Sequence, residues 1–301
     1  MNTLDPKCYP YFDEESGKEL EWDGQLSACE NDAEDMKKIA DSQGFESTIL
    51  LTAKATTKNV IKEMGRAAKK LSSGDSFLLT YSGHGGKVPD INSDEPEEEK
   101  EDETWCLYDR HFIDDELFVL FSEFKAGVHI LVLSDSCSSG TVTKGLPLVE
   151  SQNMENFNME IFGVAKPVFR LMPKETNIAV YVARSDFYDE IQSSIKRVGA
   201  ADVKATVQLI SACQDDELAA DGEVNSKFTE VLKTVWSNGK FDGNCEQFCA
   251  AIRKNLDDEY APFLKGLTKD EEEELGLQHP NYYVVGPQMD KAAKKRGPFS
   301  I

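Results

Sequence analysis

Two apolar runs decide the fold, and the first reads Phe77-Leu78-Leu79-Thr80-Tyr81 before it breaks into Ser82-Gly83-His84-Gly85-Gly86. The second reads Val128-His129-Ile130-Leu131-Val132-Leu133 and breaks into Ser134-Asp135-Ser136-Cys137. Short β-rich runs that end in small residues are typical of buried strands in an α/β sheet. Ligands and chemistry in such sheets gather at the carboxyl ends of the strands. We therefore expect His84 and Cys137 to share one site.

The rest of the chain alternates between helical and strand patterns. Apolar spacing of about 3.6 residues predicts helices at 33–40, 57–71, 115–124, 177–197, 226–236 and 245–256. Further β-rich runs predict strands at 45–51, 207–210 and 282–285. Such alternation favours an α/β fold with a central, mostly parallel sheet flanked by helices.

Composition narrows the class of protein. A chain of 301 residues with 40% hydrophobic and 29% charged residues can bury the core of one domain. No stretch is long and apolar enough to span a bilayer, and the first residues do not resemble a secretory signal. Seven cysteines form an odd set without framework spacing, which favours reduced thiols and a cytoplasmic location.

The formal charge of −22 indicates which classes of molecule this protein can bind. It disfavours nucleic acid and anionic membranes, and it favours peptide or protein substrates with basic residues. We expect a monomer with a single domain. Its large half spans residues 1–144, a connecting segment spans 145–202, and a small half spans 203–301.

Two segments interrupt the regular pattern. Nine of the fourteen residues from Asp90 to Glu103 are Asp or Glu, which is typical of a solvated loop, with a metal-binding role as the alternative. The connecting segment is rich in basic residues. If its polar first part can enter the active site, self-cleavage is expected at one of Lys166, Arg170, Lys174 and Arg184. The alternative is a segment that is ordered and packed on the sheet.

The residue types predict a thiol hydrolase. A cysteine attacks as a thiolate, and a neighbouring imidazole can take its proton and later protonate the leaving amine. Backbone N–H groups of Gly85 and Cys137 are the natural donors for the oxyanion. Asp135 is a poor candidate for the base, because a carboxylate there would raise the thiol pKa. Its better use is to bind a guanidinium or ammonium group of the substrate.

These motifs resemble those of the metacaspases, a branch of the caspase-type cysteine peptidases. His84-Gly85 and Asp135-Ser136-Cys137 follow successive strands as they do in that family. Two further stretches agree, and they read Leu26-Ser27-Ala28-Cys29-Glu30-Asn31-Asp32 and Ile210-Ser211-Ala212-Cys213-Gln214-Asp215-Asp216, the latter running to Ala220-Asp221-Gly222. Residues 186–189 and 298–301 most resemble stand-alone bacterial members.

The resemblance implies a caspase–haemoglobinase fold and a His84–Cys137 dyad. It also implies a substrate pocket that prefers Arg or Lys on the acyl side of the scissile bond, lined by Cys29, Asp32, Ser82 and Asp135. For Asp32 alone, a helix-capping role is the alternative. The family opens with a strand that this sequence lacks before the stretch Asn2-Thr3-Leu4-Asp5-Pro6, so either an exposed sheet edge or a short core is expected.

The resemblance implies no required cofactor. Calcium-dependent members bind the ion through carboxylates that match Asp102, Asp114 and Asp115. A fourth ligand position falls at Lys144, a cation, which weakens the expectation of calcium binding.

Three functions remain open from the sequence. The first is an Arg/Lys-specific cysteine endopeptidase that uses His84 and Cys137. The second is a catalytically inactive caspase-like domain that binds basic peptides as an adaptor. The third is a thiol transferase or acyl hydrolase, which would need a cofactor or an acyl groove that the sequence does not reveal.

Overall fold

The computed structural model describes residues 1–13, 17–91, 100–137, 159, 161–162, 167–195, 198, 202–214, 217–269, 272, 275–285 and 293–301. The strands in these ranges are β1 (Pro10–Asp13), β2 (Lys18–Glu21), β3 (Ser76–Ser82), β4 (Gly85–Pro89), β5 (Glu101–Cys106), β6 (His111–Ile113), β7 (His129–Asp135), β8 (Thr206–Ser211) and β9 (Asn281–Val285). The α-helices are α1 (Cys29–Ser42), α2 (Thr57–Lys70), α3 (Asp114–Ser122), α4 (Lys174–Ala183), α5 (Ser185–Ser194), α6 (Lys227–Trp236) and α7 (Cys245–Leu264).

The main sheet has the strand order β3-β7-β8-β9. β3, β7 and β8 run parallel, and β9 is antiparallel to β8. The prediction of a mostly parallel sheet flanked by helices is therefore confirmed. β7 belongs to the predicted large half and β8 to the small half, so both halves contribute strands to one sheet.

β7 is central and buried on both faces. Its side chains alternate in direction, as they must in a strand. Ile130 and Val132 lie in a core cluster with apolar residues of α2 and α3. Leu131 and Leu133 lie in a second cluster with apolar residues of α1, α6 and α7. The continuous apolar run that predicted this strand follows from its two covered faces.

Two smaller sheets lie beside the main one. β1 and β2 form an antiparallel hairpin, and β4, β5 and β6 form a three-stranded antiparallel sheet. The sequence analysis did not predict these strands, because several of them are short and polar. β4 matters for the site, since it begins at Gly85, directly after His84.

The predicted strand at 45–51 is wrong. These residues carry no regular secondary structure, although their apolar pattern suits a strand. A cavity of about 290 Å³ separates them from β3, and its lining includes Phe45, Leu51, Phe77 and Leu79. A strand needs a hydrogen-bonded neighbour, and no described strand pairs with residues 45–51. Within the described residues, β3 is consequently an edge strand that pairs with β7 alone.

The helix predictions need two corrections. The predicted helix at 177–197 is two helices, α4 and α5, which meet at Arg184 with a non-helical φ of −139°. α7 runs on to Leu264, past the predicted end at 256, with Pro262 inside its last turn. Among the described residues, none of the helices has the length and apolarity to cross a bilayer.

Candidate active site

The two reactive side chains lie just beyond the carboxyl ends of β3 and β7. The parallel register pairs Ser82 with Asp135, so the two strands end at the same level. His84 and Cys137 each follow two residues later, and both are buried, with 4% and 0% of their surfaces exposed. The sheet therefore brings the predicted histidine and cysteine to one edge.

His84 is held from several sides. Its Nε2 lies 3.1 Å from the carbonyl oxygen of Gly24. Since a carbonyl can only accept, Nε2 carries the proton and donates it. The Tyr81 hydroxyl, 2.7 Å away, donates to the backbone oxygen of His84, and the Trp22 ring packs 4.8 Å from the imidazole centroid. The ring orientation is thus fixed before any substrate binds.

This arrangement leaves Nδ1 of His84 with a lone pair. Nδ1 is buried and has no hydrogen-bond partner in the described part of the chain. Burial, opposed by the hydrogen bond to Gly24 and aided by the positive charge of Arg170, lowers the pKa of His84 to about 3. The imidazole is consequently neutral at physiological pH and available as a base.

Gly24 places the carbonyl that orients His84, and its backbone requires glycine. Its φ is +53°, and a Cβ there would lie 2.9 Å from Leu4 Cδ1 and 3.1 Å from His84 Cδ2. We expect Gly24→Ala to displace the imidazole and to lower kcat/KM for peptide hydrolysis roughly 100-fold. Steady-state kinetics on a chromogenic peptide measures this loss.

Gly17→Ala is the matched control for that variant. Gly17 has a similar φ of +65°, but a Cβ there would meet nothing within 4 Å. Both variants place alanine in the left-handed region, which costs about 1–2 kcal/mol. Equal activity in the two variants would mean that any loss comes from the strain of alanine in the left-handed region. It would contradict the proposal that Gly24 positions His84.

Cys137 lies in a tight backbone environment. Its Sγ accepts the N–H of Ala219 at 2.8 Å and lies 3.6 Å from the carbonyl oxygen of the same residue. Cys213 is the neighbouring thiol, and its hydrogen bond with Cys137, together with burial, raises the pKa of Cys213 well above the ordinary value. Cys213 therefore stays protonated and is a poor nucleophile.

A segment of this chain lies across the site, and its central residue is Arg170. The carbonyl oxygen of Arg170 accepts the backbone N–H of Gly85 at 3.0 Å and that of Cys137 at 3.2 Å. These are the two donors that the sequence predicts for the oxyanion. A carbonyl oxygen thus already lies where both N–H groups converge, as an oxyanion hole requires.

The side chain of Arg170 fills an acidic pocket and is fully buried. Its Nη2 donates to Asp32 Oδ2 at 2.6 Å and to Asp221 Oδ1 at 2.9 Å. Its Nη1 donates to Ser82 Oγ at 2.8 Å and to the backbone oxygen of Asp135 at 3.2 Å. Nη1 also lies 3.0 Å from Asp135 Oδ1 as an ion pair, although the angle does not suit a hydrogen bond.

The pocket carboxylates are held by neighbouring elements. Asp32 Oδ1 accepts the backbone N–H of Ser226 at 3.0 Å. Asp135 Oδ2 accepts from the hydroxyls of Ser226 and Thr229, the latter at 2.9 Å. Asp221 Oδ2 accepts the N–H of Ser27 at 2.6 Å. Donors at the start of α6 and just before α1 therefore aim all three carboxylates at one point.

Burial is the main influence on the pKa of Asp135. It raises the pKa of this carboxyl to about 6, against the opposing effects of the Arg170 guanidinium and of the hydroxyls of Ser226 and Thr229. The negative charge of Asp32 contributes to this rise in the pKa. The pocket thus combines three carboxylates, and one of them ionises only near neutral pH.

The structure brings together every residue that the sequence predicts for catalysis and substrate binding. These residues are His84, Gly85, Cys137, Cys29, Asp32, Ser82 and Asp135. Cys29 is fully buried at the start of α1 and lies close enough to Arg170 to interact with its charge. Asp32 lies within the first turn of α1, but its carboxylate bonds to Arg170 and Ser226 and does not cap the helix.

The sequence analysis missed four contributors to the site. Asp221, Ser226 and Thr229 bind either the guanidinium or the carboxylates that hold it. The only signal for Asp221 was its place in the Ala220-Asp221-Gly222 stretch, and Ser226 was visible only as a helix start. Gly24 gave no signal, because its function resides in a backbone carbonyl.

The three predicted calcium ligands lie on two elements of the fold. Asp102 lies on β5, and Asp114 and Asp115 begin α3. Among the described residues, no three His, Cys, Asp or Glu side chains are grouped so as to hold a metal ion. Lys144 lies outside the described residues. Calcium binding stays a prediction, and no catalytic step is derived through it.

Comparison with known proteins agrees with this geometry. Residues 13–284 match the family model described as the caspase domain. Metacaspase-1A of Aspergillus oryzae is 25% identical over 85% of this chain, and that of Aspergillus fumigatus is 26% identical over the same share. The chain spans 65% and 66% of the lengths of these relatives.

A solved structure resembles the whole chain. The crystal structure of protein GSU0716 from Geobacter sulfurreducens is 43% identical, with a TM-score of 0.75. The similarity covers 99% of this chain and 95% of that protein. With the family model matching most of its length, the chain belongs to the caspase domain family.

Proposed function

We propose that this chain is a cysteine endopeptidase that cleaves peptide bonds after Arg or Lys. One observation carries the proposal: the structure holds an arginine with its guanidinium among three carboxylates and its carbonyl oxygen on two backbone donors. A substrate residue with the same side chain would find the same partners. The caspase domain and the similarity to metacaspases support the peptidase class.

The proposed mechanism assigns a role to each side chain at the strand ends. The thiolate of Cys137 attacks the scissile carbonyl, and Nδ1 of the neutral His84 receives the thiol proton. The N–H groups of Gly85 and Cys137 stabilise the oxyanion that forms. His84 then returns the proton to the leaving amine, and water hydrolyses the thioester.

The pocket supports a preference for arginine over lysine. Two different nitrogens of the Arg170 guanidinium donate hydrogen bonds to Asp32, Asp221 and Ser82. The planar guanidinium can make all of these bonds, whereas the single ammonium group of a lysine cannot make all of them. Lysine retains the charge but loses some of these bonds. We therefore expect cleavage after Lys to be slower than after Arg.

A panel of peptides that differ only at the residue before the scissile bond tests the proposal. Purified protein is assayed on peptides with Arg, Lys, Gln or Asp at that position, with calcium and with a chelator. Turnover in the order Arg, Lys and then the other two supports the proposal. Binding of the Arg peptide without turnover would instead support the adaptor alternative, and cleavage after Asp would contradict the pocket assignment.

The pocket also predicts a pH dependence. Asp135 is protonated below its pKa of about 6, so its negative charge is lost and a cationic side chain binds less tightly. We expect kcat/KM for the Arg peptide to fall as the pH drops below about 6. His84 does not cause this fall, because its pKa is lowered to about 3. A pH profile measures the effect, and the fall should be absent in Asp135→Asn; an unchanged profile in that variant would contradict the assignment.

A further inference from the structure

We propose that His279 and Glu217 form an ion pair that positions the active site, and that the pair does so only while His279 is protonated. The pair holds the 217–221 segment, two residues of which contact the groups at the strand ends. The inference rests on the proposed function, because it takes Cys137 as the nucleophile. It goes beyond that function by assigning a positioning role to two residues outside the site described above.

The 217–221 segment contacts both the nucleophile and the acidic pocket. The N–H of Ala219 donates to Cys137 Sγ at 2.8 Å. The carbonyl oxygen of Ala219 accepts the N–H of Arg170 at 2.9 Å, and the carboxylate of Asp221 accepts from the guanidinium of Arg170, also at 2.9 Å. A shift of this segment by about 1 Å would therefore disturb the thiol and the pocket together.

The segment lies against residues 275–279, which directly precede β9. The N–H of Leu218 donates to the carbonyl oxygen of Gly276 at 2.9 Å. Leu277 is buried in the second core cluster, so this stretch is anchored in the core. The position of the 217–221 segment consequently depends on how firmly it is joined to residues 275–279.

The carboxylate of Glu217 makes that junction and is almost fully buried, with 8% of the residue exposed. Its Oε2 accepts the backbone N–H of His279 at 2.7 Å and that of Gln214 at 2.9 Å. Its Oε1 lies 2.6 Å from Nδ1 of His279 and accepts from Nε2 of Gln214 at 3.2 Å. A buried carboxylate is costly unless it is hydrogen-bonded and paired with a cation. His279 supplies two of the bonds and, when protonated, the cation.

The protonation state of His279 decides how strong this junction is. A protonated imidazole donates from both ring nitrogens. Nδ1 then donates to Glu217, and Nε2 faces Asp257 Oδ1 of α7 at 3.4 Å. After deprotonation, Nδ1 can keep its hydrogen and donate to Glu217, but Nε2 then presents a lone pair to a carboxylate. The positive charge between the two carboxylates is also lost, so the junction weakens.

The groups that face His279 determine the pH range. The hydrogen bond with Glu217 raises the pKa of His279 above its ordinary value of 6.5, and the charges of Glu217 and Asp257 act in the same direction. Burial and the charge of Arg253, on α7, oppose this rise. The Tyr260 ring of the same helix packs 6.4 Å from the imidazole centroid and stays neutral, because burial raises its pKa. With a raised pKa, the stabilisation is complete below about pH 6.5 and is lost as the pH rises through the folded-state pKa.

The ratio of kcat/KM for the wild type to kcat/KM for His279→Gln tests the proposal. It is measured on an Arg peptide from about pH 5.5 to about pH 9. The ratio cancels the titration of Asp135 and of the dyad, since both proteins contain these groups. We expect a ratio of roughly 10 at the acid end that falls towards one as His279 loses its proton. A purely structural role for the ring would give a ratio that does not change with pH.

Two further variants complete the kinetic test. His279→Lys keeps a positive charge across this pH range, so it should lack the alkaline loss of activity that the wild type shows. This comparison also serves if His279→Gln does not fold. His129→Gln is the matched control, because His129 is the first residue of β7 and lies at the other end of that strand from the site. Its kcat/KM should follow that of the wild type at every pH.

Amide hydrogen exchange gives a second measurement that needs no substrate. The N–H groups of Leu218, Ala219 and Asp221 all donate hydrogen bonds, so their protection reports how firmly the segment is held. After correction for the intrinsic pH dependence of exchange, protection should fall on the alkaline side in the wild type. It should stay level in His279→Lys.

The outcomes separate this inference from the proposed function. Protein that cleaves Arg peptides with a ratio independent of pH, or with protection that does not depend on the charge at position 279, overturns the inference and leaves the function standing. Protein that cleaves no Arg peptide, yet loses protection of the 217–221 segment as His279 deprotonates, overturns the function and supports the positioning role of the pair. Protein that shows neither effect overturns both.

Discussion

Cys137→Ala should abolish peptide hydrolysis and leave the fold intact. The thiolate is the one covalent nucleophile proposed, and its loss should lower kcat by at least about 10³-fold. Sγ of Cys137 makes contacts with Ala219 and Cys213 that alanine loses, but the neighbouring backbone bonds to Arg170 remain available. Peptide assays measure the activity, and circular dichroism and thermal unfolding check the fold.

Cys249→Ala is the matched control for the nucleophile. Cys249 is also a buried thiol, but it lies in the second core cluster on α7, away from the strand ends. Its replacement should leave the specific activity of folded protein unchanged. Retained hydrolysis in Cys137→Ala would mean that another cysteine attacks, with Cys29 and Cys213 the next to test.

Asp135→Asn should strongly lower kcat/KM for cleavage after Arg, while the contacts to the peptide backbone remain. The substitution removes a charge from a fully desolvated ion pair, and breaking such a pair costs about 2–5 kcal/mol. In kcat/KM this is a loss of roughly 30-fold or more. Kinetics on the Arg peptide and on the Lys peptide measure the loss for each cation.

The control for this variant is Asp41→Asn. Asp41 forms an exposed ion pair with Lys37 near the end of α1, outside the pocket. The Asp41→Asn substitution removes one negative charge, as Asp135→Asn does, but it lies outside the site. We therefore expect kcat/KM to stay unchanged. Equal losses in the two variants would indicate an effect of net charge, and the pocket assignment would then be wrong.

The sequence was sufficient to predict the two strands that carry the catalytic residues, because their local pattern is distinctive. The runs before Ser82 and Ser134 predicted β3 and β7, because a strand buried on both faces is continuously apolar. Since parallel strands end together, the same runs also predicted that His84 and Cys137 meet. The residue types near them indicated acyl transfer and a cationic substrate side chain.

The remaining parts of the site depend on contacts that no local pattern encodes. Asp221 binds a guanidinium from a segment 51 positions earlier in the chain, and Gly24 binds His84 across 60 positions. Arg170 was one of four basic candidates for self-cleavage, and its position in the pocket depends on where the fold places Gly85 and Ala219. The stretch 45–51 has the composition of a strand, but it pairs with no strand in the described part of the chain.

Among the described residues β3 pairs along one edge only, and this has a consequence for heat tolerance. The ladder between β3 and β7 ends at the pair Ser82–Asp135, two residues before His84 and Cys137, and residues of β3 line the cavity. Elements with fewer pairing partners open locally at a lower free energy than the whole domain unfolds. On warming, enzyme turnover should therefore cease at a lower temperature than the loss of helical signal, and amide protons of β3 should exchange with solvent sooner than those of β7.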